Sequence, residues 1–171
     1  MNLRKTELVS IVVPCRNEEG FIVDCITSML AFDLPEHIQI EVLVLDGLSE
    51  DQSVIKLRAI MEKEARVRLF TNPGKTQSTA INIAVKEAQG EWILRLDAHS
   101  TYPQNYLNLC YETMLQTGAD NVGGIIISTA GNNRYCANLI QAITTHKFGV
   151  GNSGFRTEMK AGAADTVPYG F

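Results

Sequence analysis

Short apolar runs rich in β-branched residues alternate with amphipathic stretches through the first 128 residues, and this alternation decides the fold class. Leu8 to Val13 is the first such run, stopped by Pro14 and predicted as a strand. Glu18-Glu19-Gly20 then opens a helical pattern carried by Phe21, Ile22, Cys25, Ile26, Met29 and Leu30. It should stop near Asp33-Leu34-Pro35, because a residue before proline avoids the α region. A second strand is expected over Ile38 to Leu45. A helix over Asp51 to Glu64 follows, with Ser49 or Asp51 at its cap. Arg66 to Phe70 is a third strand, broken by Asn72-Pro73-Gly74. Thr76 to Ala88 is the next helix, with Gly90 ending it. Trp92 to Leu96 is the fourth strand, and Pro103 to Gln116 a helix with proline in its first turn. Asn121 to Ser128 reads as a further strand, in which Gly123-Gly124 permits a bulge or a close backbone approach. Arg134 to His146 is expected to be helical, and a Gly-rich segment without periodicity follows. The implied architecture is α/β: a mainly parallel, Rossmann-like sheet flanked by helices on both faces, in one domain over residues 1–171.

The bulk properties narrow the functions such a domain can have. The net charge of −4, without a basic stripe, argues against a nucleic-acid partner. Met1 to Glu7 has no apolar region of the signal-peptide kind, and no apolar run reaches the ~20 residues that span a bilayer, so the chain reads as soluble. Cys15, Cys25, Cys110 and Cys136 are widely spaced and include no C-x-x-C pair. They are expected to be reduced, buried thiols.

The chemistry concentrates where the strands should end. Four clusters fall at those positions: Pro14-Cys15-Arg16-Asn17-Glu18-Glu19, Asp46-Gly47-Leu48-Ser49-Glu50-Asp51-Gln52-Ser53, Asn72-Pro73-Gly74-Lys75-Thr76-Gln77 and Asp97-Ala98-His99. A parallel sheet brings these loops to one edge, where α/β proteins bind ligands. Residues i and i+2 on extended backbone project to one side, so Asp97 and His99 could share a divalent cation such as Mn²⁺. Taken singly, each cluster has a plainer reading. Asp97-Ala98-His99 suits a turn with a surface histidine, Asp46 to Asp51 suits a turn before a capped helix, and Glu18 and Glu19 suit a helix N-terminus. Lys75 suits a solvated loop or a phosphate contact. Asn82 is expected on a helix surface. It is their recurrence at one structural address that points to a nucleotide.

At these residues the chain resembles the inverting family 2 glycosyltransferases of the GT-A fold. Val9 to Glu19 looks like their opening strand and loop. Asp46-Gly47-Leu48-Ser49-Glu50-Asp51-Gln52-Ser53 resembles their second motif, and Ala88 to His99 the approach to their Asp-x-Asp metal motif. The segment Gly149 to Phe171 is similar to succinoglycan-biosynthesis-type members. The resemblance implies a GT-A nucleotide-diphospho-sugar transferase fold. It also implies a nucleotide-diphosphate sugar donor, usually a UDP-sugar, and a glycan or lipid-linked saccharide acceptor. By the same likeness Pro14, Arg16 and Glu18 border the nucleoside, with Glu18 on the ribose. Asp46 lies at the base and Asp97 near the ribose or donor sugar; apart from the likeness, Gly47 is expected in the nucleotide-sugar site because glycine lets backbone approach a ligand, and Lys75 because its position permits a phosphate contact. Asp97 and His99 hold Mn²⁺ or Mg²⁺, His99 standing where the family usually has a second Asp.

A further departure concerns the acceptor side. The family's catalytic base is an Asp of a later motif, and the chain is expected to stop before it, as a truncated donor-binding part. Asp165 is the late acid that could stand in for that base. Gly149-Val150-Gly151-Asn152-Ser153-Gly154 satisfies the dinucleotide pattern G-x-G-x-x-G, but no clear strand precedes it, and a loop is expected. Three functions remain in play: sugar transfer to a hydroxyl with inversion, nucleotide-sugar binding without turnover, and nucleotidyl transfer. The last would carry a Gly-rich basic signature after the first strand, where Pro14-Cys15-Arg16-Asn17-Glu18-Glu19 stands. A cytoplasmic location is expected, with association at the inner membrane face and self-association left open.

Overall fold

The computed structural model describes residues 6–130, 135–151, 153–157 and 161–171. Met1 to Lys5, Arg134 at the expected start of the last helix, and Asn152 inside the Gly149–Gly154 pattern lie outside the described residues. Four parallel strands form one sheet in the order β3-β2-β1-β4. They are β1 (Glu7–Cys15), β2 (Ile38–Asp46), β3 (Val67–Thr71) and β4 (Trp92–Arg95). Between them run α1 (Ile22–Leu30), α2 (Ser53–Met61) and α3 (Gln77–Glu87). After β4 come α4 (Tyr106–Thr117), α5 (Tyr135–Thr145), the single turn α6 (Lys147–Val150) and a 3₁₀ turn at Gly154–Arg156. The β-α alternation expected from the sequence is therefore present through α4.

The two central strands are apolar almost without interruption because both their faces are covered. On one face Val9, Ile11, Val13 and Cys15 of β1 pack with Ile22, Cys25, Ile26 and Met29 of α1, Leu57 of α2 and Leu107 of α4. On the other, Val12, Leu43 and Leu45 pack against Ala80 and Ala84, the fully buried positions of α3. Two polar side chains interrupt that second face. Ser10 donates to Glu41 Oε1 at 2.7 Å, and Glu41 also accepts from the Gln89 amide at 2.7 Å and from Arg68 at 2.8 Å. This buried cluster ties β1, β2, β3 and the entry to β4 together.

Several boundaries differ from expectation, each for a local reason. Asn121 to Ser128 is not a regular strand. Val122 exchanges both backbone hydrogen bonds with Phe171, at 2.9 and 2.8 Å, and Arg95 N–H donates to Gly170 at 3.1 Å. The segment's partner is thus Phe171, while the adjacent Gly170 pairs with the edge strand β4. Of the two expectations for Gly123 the close approach holds, since a Cβ there would lie 2.4 Å from the Pro168 carbonyl. Gly90 does not end α3 in a left-handed conformation. Its missing side chain admits β1 instead, because a Cβ would meet the Leu8 carbonyl at 2.5 Å. α1 starts later than Glu18, whose carbonyl accepts from Phe21 and Ile22 at its entry. α2 begins at Ser53, and α4 at Tyr106, after a turn on the Pro103 carbonyl. Cys15, Cys25 and Cys110 are free and buried, but Cys136 is exposed on α5, a face the core does not cover.

Candidate functional site

The loops after β1 and β2 are joined by hydrogen bonds that run both ways. Backbone N–H groups of Asn17, Glu18 and Glu19 donate to Ser49 Oγ, Ser53 Oγ and Asp51 Oδ2 at 2.9, 2.8 and 3.0 Å. In return Glu50 N–H donates to Asn17 Oδ1 at 2.8 Å and Gln52 N–H to Glu19 Oε2 at 2.9 Å. Polar residues that read as turn formers therefore act as acceptors for the opposite loop. Ser49 and Asp51 do not cap α2 in the manner expected, since Gln52 holds the cap position without a side-chain bond. Asp51 accepts from its neighbour Ser53 N–H and from Glu19 instead. Desolvation pushes the Asp51 carboxyl up, yet the Ser53 and Glu19 bonds more than reverse this and hold it below the usual range.

Asp46 closes β2, buried beside the end of β1, where its register partner is Cys15. Its carboxylate accepts from Ser49 N–H at 3.2 Å. Gly47 N–H donates to the Cys15 carbonyl at 2.8 Å, and a Cβ at Gly47 would press on Arg16 at 3.3 Å. Burial, followed by the charges of Asp46, Glu18 and Asp51, pushes the Cys15 thiol up to about 12. It is no nucleophile at neutral pH.

The loop after β3 is held by Asn72. Its backbone N–H reaches the Asp46 carbonyl at 2.7 Å, while its side chain spans to the Thr76 carbonyl and Thr79 hydroxyl at 2.9 and 2.8 Å. Thr76 caps α3, and Lys75 just before it is exposed. Asn17, Leu48 and Lys75 all have φ between 56° and 59°, the left-handed region that non-glycine residues rarely occupy. One such residue sits at the end of each of the first three strands. Backbone strain of this kind gathers at ligand sites.

Beyond β4 the backbone of Asp97 is fixed from two sides. Its N–H donates to the Tyr102 hydroxyl at 2.8 Å, and the Cys25 thiol donates to its carbonyl at 3.4 Å. Its carboxylate forms an ion pair with Arg95, whose guanidinium also lies 5.7 Å from the Tyr169 ring centre. His99 turns to the first loop, with Nδ1 3.1 Å from Glu18 Oε1. Glu18 and His99, separated by 81 positions in sequence, are thus brought together. Asp97 and His99 each have a different partner.

Among the described residues no three His, Cys, Asp or Glu side chains converge on one point. The pair Asp97 and His99 nevertheless offers a carboxylate and an imidazole, a donor set suited to Mn²⁺ or Mg²⁺ when a ligand's oxygens complete the shell. In the tautomer that carries its hydrogen on Nδ1 toward Glu18, Nε2 would be the nitrogen left to ligate.

Pro14 and Asp46 lie at the carboxyl ends of β1 and β2, and Arg16, Glu18, Gly47, Lys75, Asp97 and His99 lie on the loops that leave the same edge of the sheet. Asp165 is exposed, and its neighbours Ala164 and Thr166 line a cleft along α4. Asn82 is exposed on α3. The sequence reading missed Ser53 and Asn17 as loop-joining acceptors, and missed Arg95 and Tyr102 as partners of Asp97. Only the i and i+2 spacing of Arg95 and Asp97 could have signalled the first of these partners.

The family model described as glycosyl transferase family 2 matches residues 10–166. Succinoglycan biosynthesis protein ExoA of Rhizobium meliloti (strain 1021) is 37% identical over 114 residues, covering 66% of this chain and 34% of ExoA. The dolichyl N-acetyl-alpha-D-glucosaminyl phosphate 3-beta-D-2,3-diacetamido-2,3-dideoxy-beta-D-glucuronosyltransferase of Methanococcus voltae is 27% identical over 169 residues, covering 95% of this chain and 51% of its own. The chain thus spans a third to a half of the length of these relatives. Among solved structures, S. aureus TarS 1-349 in complex with UDP superposes with TM-score 0.61 at 23% identity, over 74% of this chain and 37% of TarS. The mannosyltransferase PcManGT of Pyrobaculum calidifontis, in complex with GDP-Man and Mn²⁺, gives TM-score 0.63 at 22% identity, over 72% of this chain and 36% of its own. These likenesses establish the GT-A fold.

Proposed function

Because the chain belongs to glycosyl transferase family 2, we propose that it binds a nucleoside diphosphate sugar, with UDP the expected nucleotide, and serves inverting transfer of the sugar to a hydroxyl of a glycan or lipid-linked saccharide. The observation that carries this reading is the joining of three strand-end loops around Asp46, Glu18 and His99 at one edge of a parallel sheet. Asp46 accepts a base N–H, and Gly47 leaves room for the base to approach. Pro14 borders the nucleoside and Glu18 accepts from the ribose. Arg16 borders the nucleoside beside Pro14, and Lys75 meets the diphosphate, while the amides of Asn17, Glu18 and Glu19 already donate to the neighbouring loop and offer it no anion nest. Asp97 and His99 hold a divalent cation, which when bound neutralises charge on the departing nucleoside diphosphate.

Titration calorimetry with UDP, with and without Mn²⁺, tests the donor half. Binding that strengthens with Mn²⁺ and weakens by about tenfold or more in Asp46→Ala supports it. No heat in either condition from a folded sample overturns it. The second reading is donor binding without turnover by these 171 residues. Donor binding with no release of UDP in the presence of saccharide acceptors would select this reading.

A further inference from the structure

The residue that holds the Asp97 carboxylate belongs to none of the four strand-end clusters. Arg95 is the last residue of β4, and its guanidinium has three partners. Nη2 is ion-paired with Asp97 Oδ1. Gln77, the first residue of α3, accepts from Nε at 3.1 Å with its amide oxygen turned toward the guanidinium. The Tyr169 ring centre lies 5.7 Å away, within cation–π reach. That ring in turn stands edge-on to Tyr102 at 5.8 Å, and the Tyr102 hydroxyl accepts from the Asp97 amide. The side chains of Arg95 and Asp97 are 28% and 22% exposed, so solvent screens their pair less than one on an open surface.

Asp97 is also the carboxylate suited to a divalent cation, and it cannot serve both charges at full strength. Arginine does not lose its proton in proteins, so this competitor is permanent. A dication brought to Asp97 and His99 meets a carboxylate already neutralised and a positive neighbour one hydrogen bond away. His99 differs, because its partner Glu18 is an acid whose charge favours a cation nearby. The two candidate ligands are thus biased in opposite directions, and the Arg95 side is the unfavourable one. A nucleoside diphosphate shifts that balance. Its phosphate oxygens add ligands to the cation and offer a displaced guanidinium new acceptors.

We propose that Arg95 competes with the divalent cation for Asp97, so that the chain takes up the cation together with a nucleoside diphosphate and only weakly alone. This inference rests on the donor-site reading above and adds to it the residue that couples the two ligands.

The test is Mn²⁺ uptake by the 171-residue chain, followed by loss of the free-ion signal in electron paramagnetic resonance, with and without UDP. Expected is weak uptake by the wild type alone and strong uptake with UDP. Arg95→Gln should tighten uptake without UDP by about tenfold and lessen the gain that UDP brings. Arg95→Lys, which keeps the charge, should stay near the wild type. Adding Asp97→Asn to Arg95→Gln should abolish the tightening, which a general loosening of the fold would not do. If circular dichroism shows Arg95→Gln to be misfolded, Arg95→Met keeps the aliphatic stem beside Tyr169 and gives the same reading. Uptake without UDP that is unchanged or weaker in the uncharged variant overturns the inference, and leaves the donor-site reading standing if UDP still binds. Uptake with UDP that is indifferent to Asp97→Asn alone overturns the cation site itself, and this inference with it.

Discussion

Glu41 lies in the second layer of the core, 8% exposed at its side chain, and faces Ser10, Gln89 and Arg68. Burial alone would push its carboxyl up. Hydrogen bonds from Ser10 and Gln89, with the Arg68 guanidinium, more than reverse this and hold it below the ordinary range. A carboxyl depressed in the folded state contributes stability that is full above its unfolded value, about 4.3, and is lost as pH falls through the lower folded value. Wild-type urea midpoints should therefore drop on acidification below about pH 4.3, and Glu41→Gln should remove this part of the dependence. At neutral pH the same substitution should cost about 2 kcal/mol, because Ser10 and Gln89 lose a charged acceptor. Gly90 permits a sharper test. The Cβ of Gly90→Ala would strike the Leu8 carbonyl and the Ser10 nitrogen, both backbone of a central strand that cannot retreat. A loss of about 2–3 kcal/mol is expected in urea titration.

At the scale of elements, the joined loops after β1 and β2 should behave as one unit. Ser53→Ala removes the acceptor of Glu18 N–H and should cost about 1–2 kcal/mol. In hydrogen exchange the Glu18 amide should lose protection before the amides of β1 do. Four strands and most helices were legible because both sheet faces are covered, so each short β-branched run set between amphipathic stretches had one interpretation. The sequence also placed the polar clusters on the correct edge. What it could not convey were pairings made at long range by few residues. Val122 meets Phe171 across 49 positions of chain through one reciprocal bond pair, which leaves no local pattern. Ser53, Asn17 and Asp51 are ordinary turn formers until the opposite loop is in place. Gly90, after a helix, looked like a terminator, although its job is to let another strand in.

For the molecule as a whole, the pairing of Gly170 and Phe171 beside β4 covers one side of the sheet. Phe171 is 7% exposed, stacked on Trp92 at 5.8 Å and set edge-on to Tyr111 at 6.2 Å. Phe171→Ala should cost about 3–4 kcal/mol and shift the emission of Trp92, the single tryptophan, to the red as water reaches it. The joined loops also bear on how the chain finds its fold. A one-residue slip between β1 and β2 would turn every side chain to the wrong face, and the core would reject it. A slip of two residues keeps each side chain on its proper face, and the two aliphatic strands could accept it. That same slip would displace one loop from the other by about 7 Å, breaking all five bonds between them. The polar edge thus discriminates against a misfolded alignment that hydrophobic burial alone would tolerate.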